Sequence, residues 1–168
     1  MSLRNLVFVS LLVLPLGLCK AQPATAKPVE PKAIGVVYRL DPTSQELKKL
    51  PDEQWHEKPG PWPHSYDTYL ELNGGHSSFR MKAGEKIEFV FNTGSPEKVS
   101  LYRFILKKDK RQFQAASATW TGYQGIKGLP VEVSKYGESS YQLVPASQLD
   151  SGEYAVIIAG EFFTFGID

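Results

Sequence analysis

Hydrophobic and polar residues alternate along much of the chain after residue 34. The alternation is clearest at residues 68–72, 79–82 and 87–91, and the first two segments lead into glycine-containing turns. A period of two predicts β-strands with one buried and one exposed face. Residues 99–106 are apolar on both faces apart from Arg103, which predicts a central strand.

Turn-forming residues separate these segments. Residues 41–44, Asp-Pro-Thr-Ser, predict a turn between strands at 36–40 and 46–50. The alternative is a short helix that begins at Thr43, with Glu46 completing a capping box. We favour the hairpin because the segment is too short for a stable helix. Further strands are predicted at residues 112–118, 131–133, 141–144, 154–159 and 162–165.

Two segments are predicted as loops. Residues 51–64 contain four prolines, which are excluded from helix interiors and from central strands, and residues 122–128 contain three glycines. Short strands at this spacing, with no helical stripe after the N-terminal segment, predict an all-β fold. We expect an Ig-like antiparallel β-sandwich of about seven to nine short strands, after a cleaved signal peptide.

The N-terminal segment has the pattern of a secretory signal peptide. Residues 6–18 are nearly all apolar and follow Arg4, and thirteen residues are too few to cross a bilayer as a mature helix. Cleavage is expected after Ala21, or alternatively after Ala26. Lipid attachment at Cys19 is a weaker alternative, because Leu18 stands where a lipidation signal has a small residue. The predicted organisation is a signal peptide at 1–21, a proline-rich linker at 22–33 and one domain at 34–168.

Composition narrows the classes of function. The chain has 168 residues, of which 42% are hydrophobic, and a net charge of +1. These values exclude a disordered chain and a multi-span membrane protein, and they argue against a nucleic-acid partner. Cys19 is the only cysteine, so a mature chain without it has no disulfide. We expect a secreted or periplasmic bacterial protein with no mature transmembrane span.

The histidines and serines give no specific sign of catalysis. His56, His64 and His76 lack the H-E-x-x-H spacing of a zinc site, and no serine stands in a G-x-S-x-G nucleophile elbow. We therefore expect no cofactor, no metal site and no catalytic residues. A metal or enzyme site centred on His56 and His64 is the least favoured hypothesis.

Aromatic residues near the two predicted loops are the candidate binding residues. Such rings can stack on sugars or anchor a protein partner, although the tryptophans at 55 and 62 can alternatively cap an open end of the sandwich. A second candidate is the basic run at 107–111, which on a hairpin tip can contact anionic lipid or wall polymer, or simply be solvated. The aromatic candidates are Trp55, Trp62, Tyr66, Tyr69, Trp120 and Tyr123.

Residues 149–154, Leu-Asp-Ser-Gly-Glu-Tyr, resemble the tyrosine corner of immunoglobulin-like and fibronectin type III sandwiches. Leu149, Gly152 and Tyr154 match the pattern L-x-P-G-x-Y, and Ser151 replaces the frequent proline. The resemblance implies a Greek-key sandwich in which the Tyr154 hydroxyl bonds back to the chain. The tail at 165–168, Phe-Gly-Ile-Asp, is similar to that of a group of secreted bacterial proteins of unassigned function.

These observations predict an exported, non-catalytic Ig-like module that binds another protein of the cell envelope. The alternative is a carbohydrate-binding or cell-wall-binding module that uses the loop aromatics. The partner is therefore expected to be an envelope protein or a glycan.

Overall fold

The computed structural model describes residues 28–60, 67–119, 122–125 and 127–168. These residues form an all-β fold with one short 3₁₀ turn, Pro96–Lys98, and the strand pairs are antiparallel except for one between β6 and β15. The strands are β1 Val37–Leu40, β2 Leu47–Lys49, β3 Asp52–Glu53, β4 His56–Pro59, β5 Thr68–Asn73, β6 Arg80–Met81, β7 Phe89–Asn92, β8 Ser100–Arg103, β9 Ile105–Leu106, β10 Lys110–Thr119, β11 Gly122–Gly125, β12 Val131–Lys135, β13 Ser140–Pro145, β14 Gly152–Ile158 and β15 Glu161–Ile167.

The strands form three sheets. Sheet A has the order β12-β13-β7-β1-β2, and sheet B has the order β3-β15-β14-β8 with β6 beside β15. Sheet C has the order β11-β10-β5-β4, and β9 also pairs with β10. The predicted hairpin at 41–44 is confirmed, since β1 and β2 pair with Tyr38 opposite Lys49. The Asp41 carboxylate accepts hydrogen bonds from the backbone N–H groups of Thr43 and Ser44, as turn aspartates commonly do.

Sheet B is the central layer, because its two faces pack against two different apolar clusters. Along β14, Tyr154 and Val156 belong to the cluster shared with sheet A, and Ala155 belongs to the cluster shared with sheet C. The same alternation occurs on β15, where Phe163 and Phe162 lie in different clusters. A strand buried on both faces has an almost continuous apolar sequence, as β14 and β15 do.

Several sequence predictions need correction. Fifteen strands are present in the described residues, whereas seven to nine were expected. Residues 51–64, predicted as a loop, contain β3 and β4, and residues 122–128, also predicted as a loop, contain β11. Proline is compatible with β4 because this strand is at the edge of sheet C and Pro59 is its last residue.

The predicted central strand at 99–106 is also wrong. It is divided into β8, which ends sheet B, and β9, which joins sheet C. The break is at Phe104, whose side chain is buried between the two sheets and whose N–H donates to the Glu153 carbonyl. The segment is apolar on both sides because it passes from one sheet to the next.

The N-terminal predictions are tested only in part. Residues 1–27, with the expected signal peptide and Cys19, are outside the described residues. Within the described ranges no helix has the length and apolar character needed to cross a membrane. The linker at 22–33 is not wholly solvated, since Pro31 is buried and the Glu30 carboxylate contacts the turn before β13. The backbone N–H groups of that turn hold the pKa of Glu30 at about 2.

The two C-terminal motifs have clear structural roles. The Tyr154 hydroxyl donates to the Asp150 carbonyl at 2.8 Å, which is the hydrogen bond that the resemblance implied. In the tail, Phe165 and Ile167 are buried in the cluster between sheets A and B. Gly166 lies directly beneath the Arg80 guanidinium.

Candidate functional site

The outer face of sheet C is polar, although its inner face is apolar. Alternate residues of a strand point to opposite faces, so residues paired across strands share a face. The register places Glu71 opposite both His56 and Gln112. Leu72, the next residue along β5, is on the other face and is fully buried. Leu72 and Phe113 pack towards sheet B. The polar residues therefore line the side of sheet C that faces away from the core.

Glu71 is the centre of this outer face. Its side chain is only 1% exposed, because longer side chains from both neighbouring strands cover it. From β4, His56 Nε2 lies 3.0 Å from Oε1, and Lys58 Nζ donates to Oε2 at 3.1 Å. From β10, Lys110 and Gln112 also donate to the carboxylate. The Glu71 carboxylate on β5 is therefore in contact with side chains from both neighbouring strands, β4 and β10.

These donors stabilise the charged form of Glu71. The hydrogen bond from Lys110 is the largest cause that lowers the pKa of Glu71, and burial acts in the opposite direction. The net result is a pKa of about 2, compared with 4.5 for an ordinary glutamate. Glu71 is therefore ionised at neutral pH and is not suited to act as a general acid there.

The face carries a groove of about 490 Å³ with more cations than anions. Four lysines line it, against the two carboxylates of Glu71 and Asp109. Lys58 and Lys110 are each close to half exposed, so their ammonium groups face Glu71 on one side and solvent on the other. We call this the lysine groove, and its lining residues are Lys58, Glu71, Asn73, Gly74, Lys107, Lys108, Asp109, Lys110 and Gln112.

The ammonium groups that contact Glu71 keep further hydrogen-bond donors for a ligand. An ammonium group has three N–H donors, and Lys58 and Lys110 each give one to Glu71. Lys107 and Lys108 lie on the exposed hairpin tip between β9 and β10. Glu71 neutralises part of the charge, and the remaining positive charge favours an anion in the groove.

The hairpin tip has an unusual backbone. Lys107 N–H donates to the Lys110 carbonyl at 2.9 Å, which closes a tight turn over Lys108 and Asp109. Lys108 has φ of +57°, a left-handed conformation that glycine or asparagine adopts at lower cost. Asp109 accepts a hydrogen bond from Gly75 N–H at 3.1 Å, which fixes the tip against the loop after β5. The turn therefore holds a lysine where a glycine or an asparagine would be less strained.

A second cavity adjoins the lysine groove. Its volume is about 300 Å³, and it shares Lys58, Lys107 and Gln112 with the groove. Its other lining residues are less polar and include Tyr69 and Ile105. Ile105 is 64% exposed, so its side chain offers apolar surface at this cavity. We call this the Tyr69 cavity.

Only Trp55 and Tyr69 of the six aromatic candidates are described with their side chains, and these two have different surroundings. Tyr69 lines the cavity named for it, but Trp55 packs on Phe162, with ring centroids 5.7 Å apart. The indole N–H of Trp55 donates to the Gly160 carbonyl at 3.0 Å, so this residue closes the end of the β14–β15 hairpin. The other four candidates are not described at the side-chain level: Trp62, Tyr66 and Trp120 lie outside the described residues, and Tyr123 is described only as a backbone position of β11.

The histidines also have separate surroundings. His56 contacts Glu71, His76 Nδ1 lies 3.1 Å from Glu153, and His64 is outside the described residues. Among the residues that are described, no three His, Cys, Asp or Glu side chains form a cluster able to hold a metal ion. The hypothesis of a site shared by His56 and His64 therefore gains no support.

Sequence analysis found only part of the lysine groove. The basic run at 107–111 and Tyr69 were candidates, whereas Glu71, Lys58 and Gln112 were not. Arg111 of the same run points inwards and is fully buried, because it lies on the inner face of β10. Glu71 gave a weak signal as the charged residue between Leu70 and Leu72, but its partners are 13 to 41 positions away.

Comparison with known proteins does not add to this description. Searches against family models, curated proteins and solved structures gave no match for this chain.

Proposed function

We propose that this protein is an exported, non-catalytic binding module of the bacterial envelope, and that the outer face of sheet C is its binding surface. The observation that carries the proposal is the lysine groove, where four lysines line a space that contains one buried carboxylate. Glu71 holds Lys58 and Lys110 in place through hydrogen bonds, which reduces the entropy that they lose when a ligand binds.

The partner carries anionic groups in this proposal. An envelope protein and a glycan were both expected from the sequence, and either can present carboxylates or phosphates to lysines. The exposed tip with Lys107 and Lys108 extends the positive surface beyond the groove. The strained φ of Lys108 supports a functional role, because backbone strain is commonly retained where it serves binding.

The proposal includes an Ig-like sandwich formed by sheets A and B, with sheet C packed on the outside of sheet B. The tyrosine-corner hydrogen bond of Tyr154 supports this kinship, as does the apolar cluster that the two sheets share. A secreted or periplasmic location follows from the signal-peptide pattern of residues 1–21.

The test is co-sedimentation of the purified protein with bacterial envelope fragments at low and at moderate salt. The variant Lys107→Glu/Lys108→Glu reverses two exposed charges that do not contact Glu71. The matched control, Lys49→Glu/Lys82→Glu, makes the same change in net charge at exposed positions outside sheet C.

We expect the groove variant to lose at least tenfold in apparent affinity and the control to stay within about twofold, with binding weakening as salt increases. Equal losses in the two variants would mean that net charge alone causes binding, and would contradict the proposal.

A further inference from the structure

We infer that the ligand of sheet C is a sugar ring that bears an anionic group, either a carboxylate or a phosphate. This inference rests on the proposed function and names the chemistry of its ligand. The inference is based on two neighbouring cavities with different lining residues. The lysine groove is lined mainly by charged side chains, and the Tyr69 cavity has a less polar lining.

The anionic group fits the lysine groove. Lys58, Lys107 and Lys110 approach the groove from β4, from the tip and from β10, so three ammonium groups from different chain segments face one space. Lys58 and Lys110 are held in position by the buried carboxylate of Glu71. Ammonium groups bind as point charges and do not require one acceptor geometry, so carboxylate and phosphate are both acceptable.

The ring fits the Tyr69 cavity. A pyranose has apolar C–H faces and polar hydroxyl edges, and the cavity offers both kinds of contact. Tyr69 and the exposed Ile105 provide apolar surface, and Gln112, which lines both cavities, provides an amide at the junction. Aromatic rings are common contacts for such faces.

Size agrees with this assignment. The two cavities measure about 490 and 300 Å³ and share three lining residues, so they form one continuous surface depression. Volumes of this order accommodate small ligands, and a long polymer can continue beyond the open groove. An inorganic anion would use only the lysine groove and would leave Ile105 exposed.

The experiment compares five defined probes by ligand-observed NMR and calorimetry: inorganic phosphate, glucose, glucose 6-phosphate, glucuronate, and vesicles that contain an anionic phospholipid. We expect glucose 6-phosphate and glucuronate to bind at least tenfold more tightly than either inorganic phosphate or glucose. The vesicles separate a lipid surface from a sugar, because they present phosphate without a sugar ring. Binding to vesicles in preference to the acidic sugars would overturn the inference.

Two variants separate the contribution of apolar contact to binding from that of the lysine charges. Ile105→Gln removes apolar surface at a largely exposed position, and we expect three- to tenfold weaker binding of both acidic sugars with no change for inorganic phosphate. Val133→Gln is the control, since Val133 is an exposed valine on β12 of sheet A. Lys107→Glu/Lys108→Glu should abolish the preference for glucose 6-phosphate over glucose.

The inference and the proposed function can fail separately. If envelope binding requires the lysines but the acidic sugars do not bind more tightly than phosphate, the sugar inference is wrong and the proposed function stands. If protease treatment of the envelope fragments removes that lysine-dependent binding, the partner is a protein and the sugar inference is again wrong. If the lysine variant binds the envelope as wild type does, both are wrong.

Discussion

Two kinds of glutamate ion pair occur in this molecule, and they differ in the cation. Glu53 of sheet B, which is partly exposed, pairs with the buried Arg111, and the buried Glu153 pairs with Arg80. Glu71 of sheet C pairs instead with lysines, a histidine and a glutamine, and both lysines remain close to half exposed. The Arg111 side chain is 2% exposed and Arg80 is 31% exposed, whereas Lys58 and Lys110 are 49% and 43% exposed, so the lysines are the more open to solvent.

The difference follows from the chemistry of the two cations. A guanidinium is a planar fork that binds both oxygens of a carboxylate, as Arg111 does with Glu53. Arg111 also donates to the carbonyls of Asn73 and Gly74, so its fork has partners in two directions. An ammonium on a flexible stem binds one oxygen and keeps donors for other groups. The Arg111–Glu53 pair therefore joins sheets B and C, the Arg80–Glu153 pair joins two strands of sheet B, and the lysine cluster is the one suited to a ligand.

The largest effect is expected when an arginine pair is broken. Arg111→Met leaves the partly exposed Glu53 carboxylate without its cation, and we expect a loss of about 2 kcal/mol in the free energy of unfolding. Urea denaturation measures this loss. The double variant Glu53→Gln/Arg111→Met should recover a large part of it, because the partly buried carboxylate that lacks a cation is then absent. A loss below about 1 kcal/mol in the single variant would mean that the pair does not hold sheets B and C together.

The second effect concerns the Arg80 pair and explains the glycine of the tail. A Cβ at Gly166 would overlap the guanidinium that Glu153 and Asp168 hold, so Gly166→Ala must displace Arg80. We expect a loss of about 1.5 kcal/mol. In an Arg80→Ala background the same change should cost clearly less, and a double-mutant cycle measures the difference. Equal costs in both backgrounds would contradict this explanation.

The third effect is a pH dependence from Glu71. The pKa of Glu71 is about 2 in the folded chain and near 4.5 in the unfolded chain, so the unfolded state binds the proton first as pH falls. Its contribution to stability is present above about pH 4.5 and declines towards pH 2. Glu30 and Asp41 also have a pKa of about 2 and act in the same direction.

Urea midpoints measured from pH 5 to pH 2 test this prediction. Glu71→Gln should lose less stability over that range than the wild type, because a glutamine does not titrate. A pH dependence identical to that of the wild type would show that the lysine cluster does not stabilise the charged carboxylate.

The fourth effect is a stabilisation. Lys108→Gly relieves the left-handed backbone of the hairpin tip, and we expect a gain of about 0.7 kcal/mol after the extra entropy of glycine in the unfolded chain. Thermal unfolding measures it, with Lys107→Gly as the control at a neighbouring position. Destabilisation by Lys108→Gly would mean that the lysine side chain contributes to folding and not only to binding.

The smallest effect tests the comparison most directly. Lys58→Met removes one exposed partner of Glu71, and we expect a change of less than about 0.5 kcal/mol, since partly exposed ion pairs contribute little. The contrast with Arg111→Met, measured under the same conditions, separates the open cluster from the enclosed one. A loss as large as that of Arg111→Met would place Lys58 among the structural cations and weaken the proposed function.

Local sequence patterns were sufficient to predict the all-β class and many strand positions. Period-two alternation predicted β5, β6 and β7, and turn residues predicted the hairpin between β1 and β2. The tyrosine-corner motif predicted the hydrogen bond from Tyr154. These features are local, because alternation and turn chemistry depend on neighbouring residues.

The arrangement of the three sheets and the composition of the lysine groove depend instead on long-range contacts. The nearly continuous apolar sequences of β14 and β15 indicate burial on both faces. They do not indicate that sheet C is the layer that packs against the second face. Glu71, Lys58 and Gln112 meet because β4 and β10 pair with opposite sides of β5. Strand pairing of this kind joins residues far apart in the chain, and no local pattern encodes which strands become neighbours.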